Sequence, residues 1–169
     1  MKKFLILTVA MVVLAGVPGS LLAEKGFEVV KGKAFTDAIP TDFYLEGNRI
    51  PTQKRNSVLV HTPAGARVVF GLIDTTGYSS NIQQKYEGMI ISETNFMLCG
   101  QQIGVGSFGF GHTKPMGTSN EDMKLMIYDQ AGSKLAECSG QRDTSLEKPS
   151  PLQVMNGKLY LGRHAFDLQ

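Results

Sequence analysis

The sequence has no tryptophan, and its 169 residues include only two cysteines and three histidines. Without tryptophan, the chain lacks the usual core marker of an immunoglobulin domain. The two cysteines do not form a C-x-x-C pair, which excludes that redox motif. A sugar-binding platform of stacked aromatic rings would depend on the tyrosines. These are Tyr44, Tyr78, Tyr86, Tyr128 and Tyr160.

The N-terminal segment has the pattern of a bacterial secretory signal peptide. Two lysines precede an uncharged apolar run over residues 4–15, and glycine and proline interrupt any helix at positions 16–19. The small residue Ala23 precedes Glu24, the first acidic residue of the chain, so we predict a signal peptide over residues 1–23. The alternative is an uncleaved membrane anchor over residues 4–23, which just reaches the roughly 20 residues that a membrane-spanning helix needs.

The exported part of the chain has no excess of either charge. The whole sequence has 17 Lys and Arg against 15 Asp and Glu, and Lys2 and Lys3 leave with the signal peptide, so 15 residues of each sign remain. The densest basic spot is the pair Lys54–Arg55, which is typical of a solvated loop and smaller than the basic patch that nucleic acid or anionic lipid requires. We therefore expect no nucleic-acid partner, and no stable membrane span after cleavage.

The two cysteines, Cys99 and Cys138, are predicted to form a disulfide. An even cysteine count favours pairing in an oxidising compartment. The bond would close a loop of about 40 residues and stabilise the fold by about 4 kcal/mol. The alternatives are two buried free thiols or a thiol–histidine dyad, and pairing the sulfurs removes that nucleophile.

Residues 24–169 are predicted to form one all-β domain. No window sustains the apolar spacing of an amphipathic helix, and 17 of the 19 glycines lie here. Short strands separated by turns every 8–12 residues predict an antiparallel β-sandwich, immunoglobulin-like in one version, with a small β-barrel as the alternative. The nearly continuous apolar run Val68–Ile73 is typical of a central strand that is covered on both faces.

Several local sequences predict turns. Hairpin turns are expected at 62–65, at 129–133 and at Asn156–Gly157, which is the strongest of these signals. Ser80 and Gln83 have the spacing of a capping box for one helical turn. The apolar alternation slips by one residue after Val105, which predicts a bulge or tight turn at Gly106–Ser107.

The segment 104–109 matches the G-x-G-x-x-G pattern of dinucleotide-binding loops. Its context excludes that function, because the loop must open a helix, whereas residues 108–111 continue a strand pattern. Ser107 is no nucleophile elbow either, since Val105 stands where G-x-S-x-G requires glycine.

The three histidines could in principle hold zinc or copper. They are His61, His112 and His164, each near the end of a predicted strand, and their spacing has no metal signature. Met123 and Met126 could supply thioethers for Cu(I), but residues three apart on a strand point to opposite faces. We therefore predict no metal site and no cofactor, and a histidine-based metal site remains an alternative.

Glycoside hydrolysis would need two carboxyl groups that face each other about 5–10 Å apart. The sequence offers five candidates without singling out a pair, and turn chemistry or an exposed strand face explains most of them. They are Asp74, Glu87, Glu93, Asp122 and Asp129.

The sequence hypothesis is therefore a non-enzymatic domain, periplasmic or secreted, that binds or supports another component of the cell envelope. Its partner would be an envelope or extracellular protein or a glycan, and recognition is expected in the long polar loops 74–85, 113–122 and 140–151. The alternatives are a small periplasmic hydrolase that uses loop carboxylates and a histidine-based metal-binding protein. No catalytic residue is assigned.

Overall fold

A computed structural model of the chain describes residues 26–113 and 122–169, and the predicted signal peptide lies outside these ranges. The described residues form short strands and two helices of six residues each. In chain order these are β1 (Glu28–Val30), α1 (Lys33–Ala38), β2 (Asp42–Leu45), β3 (Asn48–His61), β4 (Arg67–Ile73), α2 (Ser80–Lys85), β5 (Gly88–Ser92), β6 (Phe96–Leu98), β7 (Gln101–Ile103), β8 (Gly106–His112), β9 (Met123–Tyr128), β10 (Lys134–Arg142), β11 (Ser150–Met155), β12 (Lys158–Gly162) and β13 (His164–Asp167).

Eleven of these strands form one antiparallel sheet in the order β1-β3-β4-β5-β8-β9-β10-β13-β12-β11, with β2 paired to β3 beside this path. Strand β11, at one end of the order, lies against β3 and β4 near the other end. The sheet therefore curls until it nearly closes on itself. The prediction of an all-β antiparallel fold is confirmed, and a single curled sheet fits the barrel version as well as the sandwich version.

The remaining strands, β6 and β7, form a hairpin that packs at one end of the curled sheet. Its residues Phe96, Leu98 and Ile103 are buried in the interior core. Met97 also exchanges backbone hydrogen bonds of 2.6 and 3.0 Å with Gln169. We call this the hairpin end. Because β5 and β8 run antiparallel, the start of β5 and the end of β8 at His112 lie at the opposite end, which we call the His112 end.

Apolar residues of the central strands are buried on both faces of the sheet. Val68 and Phe70 point into the interior core, whereas Val69 points to an outer cluster covered by β2 and α2. Successive side chains of a strand alternate between the two faces of the sheet. A run without polar residues therefore has to be covered by other elements on both faces. The prediction that the Val68–Ile73 strand is covered on both faces is confirmed.

The predicted hairpin turns are present. Asn156 and Gly157 join β11 to β12 with φ angles of 51° and 68°, the pair of positive values that a type I′ turn requires. Between β9 and β10, the Asp129 side chain accepts a hydrogen bond of 2.8 Å from the Ser133 N–H. The turn at 62–65 is closed by a hydrogen bond of 2.8 Å from the Thr62 N–H to the Ala66 carbonyl.

Both helices differ from the sequence expectation. Helix α1 was not predicted, because six residues cannot sustain an amphipathic stripe. Helix α2 occupies the predicted helical turn, but its N-cap is Ser79, whose Oγ accepts from the Ile82 N–H at 3.4 Å, and not Ser80. Within residues 26–113 and 122–169, no helix is long and apolar enough to cross a membrane.

Strand boundaries also differ at three places. The slip predicted at Gly106–Ser107 lies slightly earlier, since β7 ends at Ile103 and Val105 is exposed before β8 begins. Strand β3 includes Pro51, which is unusual inside a strand because proline has no N–H to donate; its carbonyl accepts from the Asp74 N–H at 2.8 Å. Strand β13, at the C terminus, was not predicted.

Candidate functional site

A cavity of about 380 Å³ lies at the His112 end of the sheet. Its apolar walls are Leu72 of β4, Met123 of β9, Pro151 at the start of β11 and Leu161 of β12. These strands are distant in sequence, so only the near closure of the sheet places them around one space. We call this space the end cavity.

The polar groups of the end cavity come from strand ends that the pairing brings together. Glu87 precedes β5 and His112 ends β8, next to the pair Gly88 and Phe110. Arg142 at the end of β10 stands opposite His164 at the start of β13. With Arg163, these side chains line the cavity, so the structure brings two of the three predicted histidines to one place.

The imidazole of His112 is buried against a carboxylate. Its side chain is only 7% exposed, and Nδ1 contacts an oxygen of Glu87, whose side chain is 40% exposed. The two groups touch without the alignment of a hydrogen bond. The same two residues also line a second cavity of about 380 Å³ with Gln83 and Gln84, so they separate the two spaces.

The other side of the end cavity carries positive charge. Burial lowers the pKa of His164 below its usual value, the neighbouring Arg142 and His112 lower it further, and Asp122 opposes this shift. Within the described chain, the Arg142 guanidinium makes no ion pair. Arg163 donates to the Leu146 carbonyl at 2.6 Å. Two arginines against one glutamate give the described lining of the cavity a net positive charge, and Asp122 is a further carboxylate near His164.

The third histidine lies elsewhere. His61 ends β3 opposite Glu28 and Arg67, at the hairpin end of the sheet. In the two described ranges, no group of three or more His, Cys, Asp or Glu side chains is placed to hold a metal ion. Met123 is buried in the interior core, whereas the Met126 sulfur contacts the Tyr128 hydroxyl at 3.6 Å, so the two methionines do not converge.

Of the five candidate carboxylates, Glu87 lines the end cavity, and Asp122 lies close enough to affect His164. Asp74 accepts from the Thr76 N–H at 3.0 Å and Asp129 from the Ser133 N–H at 2.8 Å, which is the turn chemistry expected of them. Glu93 pairs with Arg67. The described lining of the end cavity therefore does not contain the two facing acids of a glycoside hydrolase.

Sequence reasoning missed most of the residues that line the end cavity. Arg142 and Pro151 do fall within the segment 140–151 that was expected to carry recognition, although both belong to strand ends. Leu161 and Arg163 were not singled out. The one local signal was the adjacency of Arg163 to His164, and a single basic pair has no specificity of its own.

The cysteines meet at the hairpin end. Cys99 lies in the turn between β6 and β7 with φ 49°, and Cys138 is a buried residue of β10. The two side chains are in contact: a hydrogen bond from Cys138 lowers the pKa of Cys99, and the same contact together with burial raises the pKa of Cys138. The predicted disulfide remains a prediction, and the fold places its two partners side by side.

A partly buried ion pair holds the segment that leads into Glu87. Lys85 Nζ lies 2.5 Å from Glu46 Oε1 and donates to the Gly132 carbonyl at 2.7 Å, while the Tyr86 hydroxyl donates to the same Glu46 oxygen at 2.7 Å. The hydrogen bonds from Lys85 and Tyr86 lower the pKa of Glu46. Burial and the Glu46 carboxylate raise the pKa of Tyr86. These contacts tie the β2–β3 and β9–β10 turns to the end of α2.

The variant Glu46→Gln is expected to lower the free energy of unfolding by about 2 kcal/mol at neutral pH, since it weakens two hydrogen bonds to a charged, partly buried group. The pKa of Glu46 is lower in the folded state than its usual 4.5, so its contribution is complete above pH 4.5 and is lost as the pH falls through the folded value. Denaturant unfolding measured across this pH range should show that the difference in free energy of unfolding between variant and wild type becomes smaller in acid. The matched control is Glu137→Gln, at an exposed ion pair, with a smaller effect; equal effects would contradict the interpretation.

The end cavity thus joins apolar walls, a buried imidazole with its carboxylate, and two guanidinium groups. No known protein family, no curated protein and no solved structure matches this chain.

Proposed function

We propose that this protein is exported and acts as a non-enzymatic binding domain for another component of the cell envelope. The observation that carries the proposal is the end cavity. Its volume of about 380 Å³ lies in the range of ligand pockets, roughly 300–1,000 Å³. Pockets in the mouths of β-barrels, with apolar walls and a few convergent polar groups, are common binding sites.

The contacts of the polar groups in the end cavity favour binding over catalysis. The carboxylate of Glu87 contacts His112 and does not face a second acid in the described lining. No nucleophile motif of the sequence adjoins the cavity, since Ser107 lies on β8 towards the hairpin end. The partner proposed is an envelope or extracellular protein or glycan, and the predicted signal peptide supports a periplasmic or secreted location.

The proposal is tested by blocking the cavity. The ¹⁵N-labelled protein is recovered from the exported fraction, where its first residue is expected at or near Glu24, and titrated with solubilised envelope material from the same cells. We expect NMR line broadening at the amides of His112, Gly162 and Arg163, which line the end cavity. In Pro151→Trp, where an exposed rim residue is enlarged to fill the cavity, that broadening should be lost.

Leu135→Trp is the matched control, because Leu135 is exposed on β10 and lines none of the cavities described above. It should bind like wild type. Spectra that do not respond to envelope material, or an unchanged response in Pro151→Trp, would refute the proposed site.

A further inference from the structure

We infer that the end cavity takes a carboxylate attached to a short apolar group. The inference rests on the proposed binding function and adds the chemical class of the ligand. The same chemistry has two natural sources, a small free organic acid and the C-terminal carboxylate of an envelope protein whose last side chain is apolar.

The first step is the charge of the lining. Arg142 and Arg163 line the cavity, Glu87 is the one acidic residue of its described lining and contacts His112, and the carboxylate of Asp122 lies near His164. Arg142 is exposed at the rim, and its guanidinium has no anionic partner among the residues that the structure describes. A cationic ligand would meet the two arginines, so an anion is favoured.

The second step is the form of the anion. A guanidinium presents parallel N–H groups that match the two oxygens of a carboxylate. A dianion would place its second charge close to Glu87 in a confined space, where like charges repel strongly. A monoanion, with one charged group near Arg142, therefore fits the lining best.

The third step is the apolar wall. Leu72 and Met123 are each 7% exposed and Leu161 is 4% exposed, so they form a largely dry surface behind the arginines. Burying the hydrocarbon part of a ligand there is favourable, because it removes apolar surface from water. The small volume limits that part to a short chain or a single amino-acid side chain.

Two matched pairs of probes test the inference by NMR titration of the exported protein at millimolar concentration. Hexanoate is compared with hexanol, and acetyl-Gly-Leu with its C-terminal amide. We expect each acid to shift the amides of His112, Gly162 and Arg163, with dissociation constants at least tenfold lower than those of its neutral analogue. Tighter binding of hexanoate would identify a small free acid as the source, and tighter binding of acetyl-Gly-Leu a protein C terminus.

Arg142→Gln should weaken binding of the acids by on the order of tenfold and leave the neutral probes unchanged. Arg142→Lys should recover part of the lost affinity, since lysine keeps the positive charge but lacks the parallel N–H groups of the guanidinium. The matched control Arg55→Gln, at an exposed residue of β3, should bind like wild type. Neutral probes that bind as tightly as the acids would overturn the ligand class and leave the proposed binding function intact. Failure of every probe would also overturn the ligand class, whereas the proposed function fails on the Pro151→Trp experiment.

Discussion

Adding a thiol reductant to the exported protein is expected to lower its free energy of unfolding by about 4 kcal/mol, because the predicted disulfide closes a loop of about 40 residues. The fold supplies a structural reason as well. Cys99 lies in the turn of the β6–β7 hairpin, which closes one end of the curled sheet, and Cys138 lies on β10 of that sheet. A bond between them would tie the hairpin to the sheet in an oxidising compartment.

The measurement is denaturant unfolding with and without reductant, together with a thiol count in denaturant. The double variant Cys99→Ala/Cys138→Ala is the control, because its unfolding should not respond to reductant. Two reactive thiols in the oxidised, denatured protein, or superimposable unfolding curves, would show that the cysteines are free.

The variant Gly111→Ala is expected to lower the free energy of unfolding by about 3 kcal/mol and to displace the candidate site. A Cβ at Gly111 would lie 2.0 Å from the Lys85 carbonyl oxygen. That oxygen belongs to the backbone and cannot rotate aside, so β8 and the end of α2 have to separate. His112 follows Gly111, and Glu87 follows Lys85 by two residues, so the contact between His112 and Glu87 should open.

Thermal or denaturant unfolding measures the loss of stability, and the NMR shifts of the His112 ring report the opening of its contact with Glu87. Gly104→Ala is the matched control: neither glycine has a positive φ, and a Cβ at Gly104 would meet only Asn95 Oδ1 at 3.9 Å. Its effect should be about 0.5 kcal/mol or less. Wild-type stability in Gly111→Ala would mean that Gly111 does not lie this close to the Lys85 carbonyl oxygen in solution.

Features that depend on a few neighbouring residues could be predicted well. The Asn156–Gly157 turn was predictable because only certain residues adopt positive φ angles at low cost. Helix α1 was not predictable, since its six residues are held by packing of the half-buried Phe35 and Ala38 against the outer cluster and not by a helical pattern of their own. The place of Pro51 within β3 was not predictable for a related reason, since its partner strand β2 lies beside it only in the folded structure.

The candidate site was less predictable than the fold. His112 and His164 were candidates, but so was His61, and no spacing distinguishes the two that meet from the one that does not. Glu87 was likewise one of five carboxylates. Arg142, which carries the ligand inference, stands at the end of β10, inside the segment 140–151 that the sequence predicted to be a polar loop.

By itself, the sequence determined the alternation of apolar and polar residues, the positions of the turns and hence an antiparallel β fold, because these depend on side-chain periodicity and local backbone preference. Only the tertiary structure decided that the sheet curls until β11 lies against β3, and that Glu87, His112, Arg142 and His164 surround one cavity. The reason is that strand order and closure are set by long-range packing of the two cores, which no local pattern encodes.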